Sequence, residues 1–185
     1  RVHVCLNFHR APGYSVNPER EEPYNLWKDQ AALDAFCHHW QMFARRYLDV
    51  GLDILSFNLV NEPAHPSEDG MTRADHEAVV RTAARAIRAI DAERLIIADG
   101  VSYGNEPLPE LADLALSSNG SPGEQAPNLA QSCRAYAPMG VSHYKASWVG
   151  GENWPEPAWP GPMQDGQYWD RARLEAHSRP WIALA

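Results

Sequence analysis

Residues 2–9, Val-His-Val-Cys-Leu-Asn-Phe-His, alternate without a break. Val2, Val4, Leu6 and Phe8 fall on one face; His3, Cys5, Asn7 and His9 fall on the other, which is the period of a β-strand. After a loop at Pro12-Gly13 the apolar spacing changes to three and four. Leu33, Phe36, Trp40, Phe43 and Tyr47 predict a helix over about 26–49, with Asn25 as its N-cap and Gly51 closing the far end. Residues 54–61 predict a second strand, with Leu55, Phe57 and Leu59 on one face and Ser56, Asn58 and, by continued parity, Glu62 on the other. Thr72-x-x-Asp75 has the form of a capping box, and Val80, Ala83, Ile87 and Ile90 carry a helix over about 73–90. Residues 94–99 predict a third, more buried strand ended by Gly100. A short helix near 109–117 and a loop rich in Ser, Gly and Pro come next. Met139-Gly-Val-Ser-His-Tyr144 then predicts a fourth strand, and a last helical pattern begins near Arg171 and restarts at Ser178-x-Pro180.

Strand and helix thus alternate four times, which implies a parallel sheet with crossover helices. A doubly wound open sheet and a (β/α)8 barrel both satisfy this. No GxGxxG or P-loop motif follows any strand, so the open sheet lacks its usual support. In the first two strands large apolar residues oppose smaller or polar ones, as expected where one face meets outer helices and the other layers a barrel interior. The expected fold class is therefore α/β, a (β/α)8 TIM barrel. The chain opens as if inside a strand and stops within a helical pattern, so residues 1–185 are expected to be a partial barrel domain, roughly its middle half, truncated at both ends.

A net charge of −8 argues against a nucleic-acid partner, whose phosphates would be repelled. No apolar run reaches membrane-spanning length. The three cysteines, Cys5, Cys37 and Cys133, show no CxxC spacing and are expected to be buried free thiols, which leaves the redox compartment open. Seven tryptophans are the unusual feature. Trp40 suits a core; Trp148, Trp154 and Trp159 share one Pro/Gly-rich stretch and suit instead a flat aromatic platform for sugar rings.

Functional residues of such barrels stand at the C-terminal ends of strands. The first two strands lead into His9-Arg-Ala-Pro-Gly13 and Asn61-Glu62-Pro63. Pro63 disfavours the helical conformation at the residue before it, so Glu62 is expected to stay extended and point to the barrel mouth. A partly desolvated carboxylic acid there suits proton donation. The tripeptide occurs twice; Asn105-Glu106-Pro107 ends no predicted strand and reads as ordinary loop. Metal chemistry has little support, because His38 and His39 are adjacent on a helix and no HExxH occurs. GxSxG is absent as well. His3 reads as a barrel-interior residue.

Ser56-Phe-Asn-Leu-Val-Asn-Glu-Pro63, preceded by a strand ending in His9-x-x-Pro12-Gly13, resembles glycoside hydrolase family 5, the cellulase family, from its strand three to the helix after strand six. The resemblance implies a retaining β-glycosidase, endoglucanase-like, acting on β-linked glucan or a related polysaccharide without a cofactor. It makes Glu62 the acid/base, places Asn61 on the sugar 2-hydroxyl, and lines the same subsite with His9. The family's His-x-Tyr at the end of strand six is carried onto His143, with Tyr144 displaced by one and Lys145 at the expected Tyr position; Trp148 joins the substrate-binding set. The family nucleophile, a Glu at the end of strand seven, has no counterpart and is expected past Ala185, so the 185 residues alone are expected not to turn over glycosides. The substrate class alone suggests a secreted or periplasmic setting. Two alternatives stand beside this one: a non-catalytic carbohydrate-binding remnant of such a barrel, and a different barrel enzyme such as a metal-dependent hydrolase.

Overall fold

The computed structural model describes residues 2–17, 22–115 and 128–184. The chain forms two compact units, Arg1–Cys133 and Arg134–Ala185.

In the first unit, strands β1 (Val4–Asn7), β2 (Leu55–Asn58), β3 (Ile96–Asp99) and β4 (Leu129–Ser132) pair in that order, each parallel to the next. Helices α1 (Gln30–Arg46) and α2 (Arg73–Arg88) form the crossovers after β1 and β2. Both bury their apolar stripe: Phe36, Trp40 and Ala44 from α1, and Val80, Ala83, Ala84 and Ile87 from α2, join Phe57, Leu59 and Ile96 of the sheet in one core. Phe8 completes it by packing edge-on against Trp40 at 5.7 Å.

Strand parity follows the sequence pattern. Leu6 and Phe8 lie against the core. On the opposite face His3 Nε2 meets Ser56 Oγ at 2.9 Å, and Asn7 meets Asn58. The predicted capping box of α2 forms, with Thr72 and Asp75 bonded reciprocally. Hydrogen bonds from Lys28 and Thr72 draw the Asp75 carboxyl down to about 2. Asn25, expected to cap α1, instead caps the turn ahead of it: its Oδ1 accepts from the Trp27 N–H, and its carbonyl accepts from Lys28 and Asp29. The helix itself begins later, after Asp29.

The fourth strand lies at Leu129–Ser132, not at 139–144. Its register is reinforced by the Gln131 amide, which accepts from Leu108 N and donates to Leu108 O, both at 2.8 Å. Met139–Ser142 is one helical turn in the second unit. Pro138 precedes it, its carbonyl accepting from Val141 and Ser142, and Gly140 lies against the side chains of Met163 and Gln164. That unit also holds a ribbon pairing Gly161–Pro162 with Tyr168–Trp169, and helix α3 (Arg171–Leu184). The helix runs through Pro180 without the expected restart. The cysteines are free, but Cys5 and Cys133 are exposed and Cys37 is half-buried, so the expectation of three buried thiols fails. Among the described residues no helix is long and apolar enough to cross a membrane.

Arg94 secures the N-terminal end of the sheet. Fully buried, it pairs with Asp91 at 2.9 Å and donates to the carbonyls of Tyr47, Val50 and Leu55. One side chain thereby gathers the end of α1, the start of β2 and the turn after α2.

His76, also fully buried, packs on Trp27 at 5.7 Å, and neither of its ring nitrogens has a hydrogen-bond partner among the described residues. Burial, with a smaller contribution from the charge of Arg73, lowers its pKa to about 3. An unfolded histidine titrates near 6.5, so below that pH the unfolded chain takes up a proton that the folded one refuses. Folding stability should therefore fall as pH drops from about 6.5 toward 3, by at most about 1.4 kcal/mol per pH unit from this group. Denaturation midpoints across that range should fall less steeply in His76→Phe; identical slopes would show that His76 does not titrate this way.

Candidate active site

Parallel β1 and β2 both end at the same edge of the sheet, and the two segments that follow lie side by side there. Phe8 N donates to Asn58 O, and Asn61 N donates back to Phe8 O. His9 and Glu62 accordingly share one end of the sheet, the C-terminal one. His9 is exposed on the loop after β1, Asn61 is buried and Glu62 is half-buried.

Glu62 does not continue the strand. Its φ is +46, in the left-handed region, and the parity break is visible before it, where Leu59 and Val60 are both buried in the core. Pro63 disfavours the right-handed helical conformation at Glu62. Both backbone polar groups of Glu62 are then held by side chains from elsewhere. Its N–H donates to Asp99 Oδ2 at 3.0 Å, and its carbonyl accepts from the Tyr14 hydroxyl at 2.7 Å. Burial pushes the Tyr14 hydroxyl well above the usual tyrosine range, which keeps it a donor. A non-glycine residue in such a conformation costs about 1–3 kcal/mol, and these fixed partners offset that cost.

Asp99 links the site to the sheet. The residue stands at the end of β3 and is 1% exposed. Its Oδ1 accepts from Asn58 Nδ2 at 2.7 Å, and Asn58 Oδ1 accepts in turn from Asn7 Nδ2 at 2.5 Å. A row of polar side chains therefore crosses β1, β2 and β3 beneath Glu62. Sequence reading put Asn7 and Asn58 on the polar face but missed Asp99 and Tyr14. The available signal for Asp99 was an acidic residue closing an otherwise apolar strand, Ile96-Ile97-Ala98-Asp99. Tyr14 sits just past the Pro12-Gly13 turn, where Arg10–Ala11 pairs with Tyr14–Ser15. A cleft of about 460 Å³ opens beside it, lined among others by Tyr24, Asn25 and Asp69.

The second Asn-Glu-Pro copy has a different setting. The Glu106 carboxylate accepts from Ser102 Oγ at 2.7 Å and pairs with Arg73 at 3.2 Å. It belongs to an ion cluster with Glu110 at the start of α2.

In the second unit Tyr136, His143 and Trp148 form an aromatic row. Tyr136 and His143 meet edge to face at 4.9 Å, and His143 and Trp148 at 6.4 Å. Trp148 is 75% exposed, Trp159 is exposed and Trp154 is half-buried. His143 and Tyr144 follow the helical turn and end no strand, contrary to the expectation. The strand that does end before this region is β4, and the residues after it read Cys133-Arg134-Ala135-Tyr136. Arg134-x-Tyr136 therefore stands where a His-x-Tyr pair was sought. Glu152 and Glu156 are exposed in the Trp-rich segment. Among the described residues no three His, Cys, Asp or Glu side chains gather to hold a metal ion.

Polar residues at the C-terminal ends of parallel strands are the arrangement of (β/α)8 enzymes. The family model for cellulase, glycosyl hydrolase family 5, matches residues 2–179, and the chain belongs to this family. Its fold is that family's (β/α)8 barrel, of which β1 to β4 are four adjacent parallel strands. A solved structure described as a glycoside hydrolase is 40% identical with a TM-score of 0.86, over 98% of this chain and 52% of that one. The endoglucanase Cel5A from the hyperthermophilic Thermotoga maritima is 19% identical with a TM-score of 0.64, over 98% of this chain and 62% of that one. Endoglucanase Cel5A of Pseudomonas stutzeri is 18% identical with a TM-score of 0.55, over 98% and 46%. The chain thus spans about half the length of the first of these relatives. No curated protein matches it.

The Pro12-Gly13 turn that delivers Tyr14 offers a direct check. Gly13 has φ +75, and a Cβ there would lie 2.7 Å from the backbone nitrogen of Leu26. Gly13→Ala should lower stability by roughly 1–3 kcal/mol, read from denaturant midpoints. An unchanged midpoint would show that the turn relaxes freely.

Proposed function

We propose that the protein is a retaining β-glycosidase of endoglucanase type, acting on β-linked glucan or a related polysaccharide, with Glu62 as its acid/base. The observation that carries this reading is the placement of Glu62: a half-buried carboxyl side chain at the C-terminal edge of a parallel sheet, with both backbone polar groups held by buried partners. In this reading Glu62 first donates its proton to the leaving glycosidic oxygen and then takes a proton from the water that releases the glycosyl-enzyme. Asn61 addresses the sugar 2-hydroxyl, and His9, on the neighbouring loop, borders the same subsite. The second carboxylate, about 5–5.5 Å away in a retaining enzyme, is assigned to residues outside this chain. The chain is then part of one (β/α)8 catalytic domain.

The relatives support the substrate class. Thermotoga maritima Cel5A has been seen in complex with cellobiose and with mannotriose. Exposed Trp148, with Tyr136 and His143 behind it, is a surface on which the apolar face of a pyranose ring can lie. His143 takes its part here through that row, and Tyr144, half-buried beside it, is the weaker binding candidate.

In the complete enzyme, Glu62→Gln should lower turnover of an unactivated glycan by about 10²–10⁴-fold, because a general acid is lost. An aryl glycoside with an activated leaving group should suffer much less. Near wild-type rates on the unactivated glycan would refute the assignment, and an equal loss in Glu106→Gln would point to the other copy. Sugar binding without hydrolysis by the complete wild-type protein would instead support a binding module.

A further inference from the structure

We propose that Asp99 is the positioning residue of Glu62, a proposal that rests on the acid/base reading above. Asp99 touches no substrate in this scheme. It acts by dictating the backbone conformation from which the Glu62 side chain projects.

A buried carboxylate is retained only where donors surround it. Asp99 assigns one oxygen to Asn58 Nδ2 at 2.7 Å and the other to the Glu62 N–H at 3.0 Å. The second bond is the informative one. It holds a main-chain group of a residue at φ +46, where side-chain-bearing residues are rarely found. Turning Glu62 back toward extended backbone would swing its N–H off Asp99 and break this bond to a buried carboxylate. The stability of the buried network is thereby coupled to the aim of one side chain.

The chain just after Asp99 is shaped to the same loop. Ser102 N donates to Ala64 O at 3.1 Å and Tyr103 N to Pro63 O at 2.8 Å. Ser102 and Tyr103 themselves take left-handed conformations, with φ of 56 and 59. Strain thus appears on both sides of one contact, between the segment after β3 and the segment carrying Glu62. Such strain persists only where the surroundings over-determine it. In the other copy the Glu106 carboxylate is bound by Arg73 and Ser102, and its main-chain N–H by the Val101 carbonyl. At Glu62 the main-chain N–H and carbonyl are both held by side chains distant in sequence.

Hydrogen-bond polarity gives a rescue test. The network runs from Asn7 Nδ2 to Asn58 Oδ1, and from Asn58 Nδ2 and Glu62 N to the two oxygens of Asp99. Asp99→Asn confronts one of those donors with a second donor. Asn58→Asp confronts the Asp99 carboxylate with another. The double variant Asn58→Asp/Asp99→Asn restores the donor–acceptor match of these three bonds: residue 58 accepts from Asn7 and from residue 99, whose remaining oxygen accepts from Glu62 N.

The experiment measures kcat/KM of the complete enzyme and these three variants on a cello-oligosaccharide and on an activated aryl β-glycoside, with denaturation midpoints beside them. Asp99→Asn should lose about ten- to hundredfold more on the oligosaccharide than on the aryl glycoside, as expected for misplacing an acid through one charged hydrogen bond. The double variant should recover most of that selective loss. Equal losses on both substrates, or a folded double variant no better than Asp99→Asn, would overturn the proposal. If Asp99→Asn fails to fold, the double variant decides alone: a folded enzyme with the wild-type leaving-group profile supports the proposal, and failure to fold overturns it. Glu62→Gln serves as the reference. Without leaving-group dependence there, the acid/base reading itself falls; with it there but not in Asp99→Asn, only the positioning role falls.

Discussion

A carboxylate at the end of β3, removed from water, must be met by donors, and the rest of the site follows from which donors meet it. Asp99 reaches across to Asn58 on β2, which reaches Asn7 on β1, and upward to the main chain of Glu62. Asn7 and Asn58 are direct partners in the strand register, and Asn58 pairs with Ile97, two residues before Asp99 on the same face. A one-residue slip of either strand would turn one member of the row to the opposite face. The polar row and the parallel register therefore specify each other, and the position of Glu62 is a consequence of both.

The two edges of the sheet are stabilised by different means. At the N-terminal edge the buried Arg94 collects three carbonyls and Asp91, and among the described residues none of these partners has a positive φ. At the C-terminal edge Glu62, Ser102 and Tyr103 all occupy left-handed conformations. This division fits the barrel architecture, in which one face of the sheet serves stability and the other carries chemistry. The helices complete it from outside: Trp40 is buried in the core and also donates its indole N–H to Leu59 O, just ahead of the Asn61-Glu62 segment.

Much of this was legible in the residues. Period-two alternation placed β1 and β2 and the inward polar set of His3, Asn7, Ser56 and Asn58, because side-chain direction in a strand is a local property. The capping box of α2 was legible for the same reason. Two features were not. Leu129–Ser132 contains a single strong apolar residue, and its place in the sheet is supported by its own Gln131 amide bonding the distant backbone of Leu108. Met139–Tyr144 alternates convincingly, yet Met139–Ser142 closes a helical turn on the Pro138 carbonyl. Consequently His143 and Tyr144 were sought at a strand end that does not exist there. The conformation of Glu62 was also misjudged, since Pro63 alone excludes one region without selecting among the others; Asp99 and Tyr14, 37 and 48 residues away in sequence, make the selection.

The central claim, that Glu62 is the acid/base of a retaining glycosidase, is tested most directly by azide trapping. In Glu62→Ala of the complete enzyme an activated aryl β-glycoside still forms the glycosyl-enzyme, but water then lacks its general base. Azide needs none. The account predicts that azide accelerates turnover of this variant, leaves the wild type unaffected, and yields the β-configured glycosyl azide. No azide adduct, an α-configured one, or the same behaviour from Glu106→Ala would contradict it.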